Sequence, residues 1–138
     1  MITISFYKMK HKVRLPARKY LTKVVEASLT ACQKGGDYTL ALTFVDDAEM
    51  ALLNERWLQR KGPTDVLSFT GEDGDLGEVI ISLDMLRRVS IERHASVQSI
   101  VTRYIAHGVL SLLGFDHKEG EHADKNQALE DTIVKGIV

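Results

Sequence analysis

The sequence predicts an α+β domain of four strands and about five helices. Three observations predict it: separate stretches in which apolar residues alternate with period two, apolar rows of helical period between them, and the lack of any repeat or linker that would divide residues 1–138. A chain of 138 residues can bury a core without disulfides or a structural metal. A single domain over 1–138 is the expectation.

The elements follow in chain order. Ile2, Ile4 and Phe6 alternate as a first strand, and Pro16 is expected to open a helix whose inner row holds Leu21, Val24, Val25, Ser28 and Cys32, with Gly35-Gly36 as its stop. Tyr38, Leu40, Leu42 and Phe44 alternate with Thr39, Ala41, Thr43 and Val45, the period of a half-buried strand. Asp46 followed by Glu49 resembles a capping box and starts a helix running to about Leu58. The segment Arg60-Lys61-Gly62-Pro63-Thr64-Asp65 reads as a loop, Val66 to Phe69 as a short strand, and Gly71 to Gly74 as a turn. Leu76 to Leu83 form another apolar strand, after which Asp84 is expected to cap a helix carrying Met85, Leu86, Val89 and Ile91. A long helix from about Ser96 to Leu113 closes at Gly114, and a last one runs near Ala123 to Val134.

Composition excludes several classes of function. The longest uncharged stretch, Tyr104 to Phe115, falls well short of the roughly 20 residues of a membrane span. The order of charge in the first residues is the reverse of a signal peptide, so a cytoplasmic location is expected. Cys32 is the one cysteine, which rules out an internal disulfide framework and suits an inert core thiol. Net charge hides an asymmetry: residues 1–69 carry 11 Lys and Arg against 7 Asp and Glu, and residues 70–138 carry 7 against 12. The excess lies in Lys8, Lys10, Lys12, Arg14, Arg18, Lys19 and Lys23. Such a strip can hold phosphates by charge, and it also reads as an ordinary solvated face because no aromatics are interleaved.

The segment His107-Gly108-Val109-Leu110-Ser111-Leu112-Leu113-Gly114-Phe115-Asp116-His117 carries the chemistry. On a helix, Ile100, Tyr104, His107 and Ser111 share one row, since their offsets differ by at most about 40° at 3.6 residues per turn. A left-handed Gly114 would end the helix and let His117 swing back toward that row. This is the outline of a metal site. The spacing of 107, 111, 114 and 117 equals the HExxHxxGxxH of metzincin proteases, but Gly108 stands where their general-base Glu would be and Ser111 where their second imidazole would be. A hydroxyl is a poor zinc ligand because it must lose a proton to donate well. A hydrogen-bonded core histidine is the alternative reading of His107.

Two separated segments resemble the YbeY family of metal-dependent endoribonucleases. One runs from Leu53-Asn54 through Pro63-Thr64-Asp65-Val66-Leu67-Ser68-Phe69 to Leu76-Gly77-Glu78-Val79-Ile80-Ile81-Ser82. The other is His107 to His117, similar to the family's HGxLHLxGYDH signature. The resemblance implies a zincin-like fold with a small mixed sheet, a zinc ion held by three His, and cleavage of single-stranded RNA in ribosomal RNA maturation and ribosome quality control, on or near the small ribosomal subunit. Carried over by position, two ligands fall on His107 and His117 and the second falls on Ser111, so weakly held or absent zinc is expected. The family's Tyr-Arg falls on Trp57-Leu58, which removes a cation thought to engage the RNA phosphate. Arg56 and Arg60 lie near Leu58 in sequence but would point away from it on a helix. Thr64, Asp65, Ser68 and Asp116 are expected to line the site, with Asp116 orienting an imidazole and Asp116, Glu121 and His122 as candidate replacement ligands. An endoribonuclease weakened by these losses is the first reading, a ribosome assembly factor that kept the fold the second, and a zinc peptidase a distant third because Gly108 removes the base.

Overall fold

The computed structural model describes residues 1–62, 64–115 and 121–137, with side chains in 121–126 not described. The chain runs β1 (Ile2–Lys8), α1 (Arg18–Ala31), β2 (Tyr38–Val45), α2 (Asp47–Leu58), β3 (Val66–Thr70), β4 (Asp75–Ser82), α3 (Leu83–Arg93), α4 (Val97–Leu112) and α5 (Glu121–Ile137). The sheet order is β1-β2-β4-β3. β1, β2 and β4 are parallel, and β3 returns antiparallel on β4 to make one edge. Parallel neighbours require long crossovers, which α1 and the α2–β3 segment supply, whereas the short 71–74 turn permits only the antiparallel pair.

Side-chain alternation sorts the helices. Leu40, Leu42, Phe44, Val79 and Ile81 point to one face, where they meet Leu21, Val24 and Val25 of α1 and Val101, Ile105 and Val109 of α4 in the main core. Val45, Leu67 and Ile80 point to the other face and meet Met50 of α2. α2 and α4 therefore pack on opposite faces of the sheet.

Several local expectations change in the structure. α1 begins at Arg18 after Ala17, two places beyond Pro16. It ends before the glycine pair, because Gln33 turns left-handed at φ 55° and the Lys34 N–H closes on the Leu29 carbonyl at 2.9 Å, completing the helix end. The Asp46 cap is present, with its carboxylate accepting from the Glu49 N–H at 2.9 Å. α3 is capped by Ser82, not by Asp84: the Ser82 Oγ accepts from the Met85 N–H at 3.1 Å. Asp84 instead accepts from the Asp47 N–H at 2.7 Å and pairs with His11 Nε2 at 2.8 Å, so it serves the free donors at the start of α2. Those contacts hold its carboxyl below the usual carboxylate range, the Asp47 N–H first. Of the apolar residues that α3 carries, Leu86 is buried and Ile91 is 63% exposed.

Candidate functional site around His107

α4 starts with the Ser96 hydroxyl accepting from the Ser99 N–H at 3.1 Å and buries most of its length. At Gly108 it comes close against the sheet. A Cβ added there would lie 2.5 Å from Val79 Cγ1 and 3.4 Å from Ser68 Oγ, so a glycine is what allows helix and sheet to touch. Ser68 on edge strand β3 then donates to the Gly108 carbonyl at 3.1 Å. The residue after His107 is thus tied to the sheet edge, and His107 is left facing outward with its side chain 40% exposed.

Across from it stands α5. His107 Nδ1 lies 3.2 Å from Glu130 Oε2, and the Glu130 side chain is only 5% exposed. A carboxylate oxygen only accepts, so towards a carboxylate this contact is made by the ring Nδ1–H, and it orients the imidazole. Arg103, one turn before His107, places Nη1 3.6 Å from Glu130 Oε1 and bonds Asp131 through Nη2 at 2.8 Å. That cation stands beside the buried Glu130 carboxyl. The Arg103 bond also holds Asp131 below the usual carboxylate range. Tyr104, half-buried on the same helix, has its phenol pushed up to about 12, first by burial and then by the charge of Asp65, so it stays protonated.

The predicted site residues fall as follows. His107 and Ser111 share α4, and Ser111 is exposed. Ser68 touches the helix through Gly108. Asp65 accepts from the Val66 N–H at 2.8 Å and from Thr64 Oγ1 at 3.4 Å, closing the entry to β3. Leu58 is 40% exposed at the end of α2, on the opposite face of the sheet from α4. Beside it Trp57 meets Phe69 edge-on at 6.4 Å. Gln59 ends α2 left-handed at φ 56°, so Arg60 lies beyond the helix, at the start of the expected loop. Gly114 has φ 88°, the left-handed form that ends α4. Pro63, Asp116 and His117, and the side chains of Glu121 and His122, lie outside the described residues. Cys32 is half-buried, and burial pushes its thiol up, the condition of an unreactive cysteine.

Glu130 and Arg103 were not singled out by sequence reasoning. Arg103 lies one helical turn from His107, a spacing that was available; Glu130 lies 23 residues away on another helix, and no spacing rule reaches it. Among the described residues no group of three His, Cys, Asp or Glu stands together for a metal ion. The described donors fit one position of a zinc site, the imidazole of His107. They do not complete one, since the hydroxyl of Ser111 is a poor donor and Glu130 is already engaged with His107 and Arg103.

Comparison with known proteins gives a consistent result. Residues 3–138 match the protein family described as Endoribonuclease YbeY. The chain is 36% identical over 115 residues to Endoribonuclease YbeY of Synechococcus sp. (strain CC9605), covering 76% of this chain and 69% of the relative. It is 29% identical over 144 residues to that of Nitrosococcus oceani, covering 99% and 93%. Against that of Myxococcus xanthus it is 36% identical over 130 residues and spans 44% of the relative's length. The solution structure of TM1509 from Thermotoga maritima superposes with a TM-score of 0.65 at 21% identity, covering 98% of this chain and 89% of the other, which shows the shared fold.

Proposed function

The chain belongs to the YbeY endoribonuclease family, and from that premise we propose that it acts on single-stranded RNA in ribosomal RNA maturation, in the cytoplasm and close to the small ribosomal subunit. The observation that carries the reading is the outward His107, oriented by a buried Glu130 that Arg103 holds in place. Glu130 orients the ring through Nδ1, and the Ser68–Gly108 bond ties the adjoining helix backbone to the sheet edge. His107 and His117 are the residues we propose as zinc ligands. Bound zinc would supply a Lewis acid for the phosphate and a lowered pKa for water. With Ser111 and Leu58 in place of His and Arg, we propose that zinc is held weakly and cleavage is slow.

A second reading, an assembly factor with little or no chemistry, is favoured by Ser111 and by the incomplete donor set among the described residues. Single-turnover cleavage of a labelled single-stranded RNA, with and without chelator, separates the two. Chelator-sensitive cleavage lost in His107→Ala supports the nuclease, and Ser111→His should then tighten zinc in titration calorimetry. RNA that stays intact while still bound supports the assembly factor.

A further inference from the structure

We propose that residues 8–14 form a track for the RNA backbone, separate from the His107 site; this rests on the RNA-directed reading above. The segment alternates in and out. Met9 packs into the core formed by Val45, Met50, Leu67 and Ile80, His11 is held by Asp84, and Val13 is buried in the main core. Lys8, Lys10, Lys12 and Arg14 point to solvent. The inward residues pin the segment, which bends at Lys10 and at Lys12: the Met9 N–H bonds the Phe44 carbonyl at 2.9 Å, His11 Nε2 meets Asp84 at 2.8 Å, and the Val13 N–H bonds His11 Nδ1 at 3.1 Å. Four cations therefore stand at every second residue of one pinned, bent loop that leaves β1 at Lys8 and returns beside Phe6 at Leu15.

The track starts at the β1 edge and crosses the ends of β2 and β4, where Phe44 and Asp84 anchor it. Among the described residues none of the four cations forms an ion pair with an acid. The carboxylates at its far end are already engaged, Asp84 by His11 and the Asp47 N–H, and Asp47 by Arg88 at 2.7 Å. The charge is left for an external anion.

Aromatic surface beside the track favours a nucleic acid over an acidic protein. A groove of about 170 Å³ opens next to Lys8, lined by Phe6, Tyr7, Leu15, Pro16 and Arg18 among others. Tyr7 is 57% exposed, and the Arg18 guanidinium lies 5.3 Å over the Phe6 ring. A cationic surface with flat rings at its side is what a single strand uses, phosphates on the cations and a base stacked beside them.

The test is the salt dependence of binding. A labelled oligouridylate is titrated in chelator, at several potassium chloride concentrations, against the native protein and the triple variant Lys10→Gln, Lys12→Gln, Arg14→Gln. Three lost phosphate contacts should make the slope of log K against log salt shallower by about 2, with at least about tenfold weaker binding at low salt. Lys10→Arg with Lys12→Arg should keep the native slope, and Tyr7→Ala should weaken binding without changing it. Thermal unfolding of each variant confirms that the fold is kept. An unchanged slope in the triple variant overturns the track, and if the native protein still cleaves RNA the family reading stands. An unchanged slope with weakened binding of polyglutamate would assign the segment to an acidic protein and equally overturn the proposal. A native protein that neither binds nor cleaves RNA overturns both readings.

Discussion

Gly108→Ala is the most informative single change, because two physical effects of opposite sign meet at one atom. In a helix interior alanine is favoured over glycine by about 1 kcal/mol, so if space allowed the substitution would stabilise. Space does not allow it: the new Cβ would lie 2.5 Å from Val79 Cγ1 and 3.1 Å from Cγ2. Val79 is fully buried in β4, and a β-branched side chain there has little rotamer freedom to retreat. Overpacking of a well-packed core costs about 1–3 kcal/mol, and a contact this short belongs at the upper end. The expected net loss is about 1–2 kcal/mol, or roughly 3–10 °C in Tm for a chain of this size. Urea unfolding at fixed m value measures it. Val79→Ala should cost about 1–2 kcal/mol alone and much less in the Gly108→Ala background, because it removes the atoms in collision. RNA cleavage, where present, should fall as well, since α4 can relieve the contact only by moving His107 away from Ser68. A net gain in stability from Gly108→Ala, or strict additivity of the pair, would refute the reasoning.

Three further outcomes are expected. Glu130→Ala should cost about 1–3 kcal/mol in urea unfolding, discounted because Arg103 is one-third exposed and keeps Asp131, and should release the Nδ1–H tautomer of His107 in nitrogen NMR; an unchanged tautomer would remove Glu130 from its orienting role. Asp84 has a folded-state pKa below its unfolded value, so its contribution is present at neutral pH and lost as pH falls through the depressed value. Asp84→Asn should therefore lower stability at pH 7 by about 1 kcal/mol, with the gap to the native protein closing below about pH 4, and a gap independent of pH would count against the assignment. In a spectrophotometric titration of the folded protein, Tyr104 should ionise near 12, and Tyr104→Phe should remove that late phase; because the unfolded phenol ionises near 10, native stability should also fall more steeply above that pH than in the variant.

Much of the architecture was legible in the sequence, because strands and helices are written in short-range periodicity. The alternation of Tyr38 to Val45, the Asp46 and Glu49 cap and the row through Leu21, Val24, Val25 and Ser28 all depend on neighbours within one or two turns, and all stand where they were read. The motif that begins at His107, together with the 53–82 segment, marked the family that the comparisons show. Where two local signals competed, the sequence could not choose. Ser82 and Asp84 are both good caps, and only the position of α2, whose first N–H groups need an acceptor, decides that Ser82 caps α3 and Asp84 turns to Asp47 and His11. In the same way Gln33 ends α1 ahead of a glycine pair.

What the tertiary structure alone decided is the environment of His107. Gly108 looked in sequence like the loss of a general base; in the fold it is the point at which α4 meets Val79 and Ser68. Glu130 and Arg103 gave no signal as a pair, yet they fix the imidazole from α5 and α4. Leu58 and His107 belong to one expected site and stand on helices packed against opposite faces of the sheet. The physical reason is common to all three: backbone periodicity is set by a residue's immediate neighbours, whereas a close approach or a buried ion pair is set by which surfaces the packed core brings together, and sequence spacing carries no record of that distance.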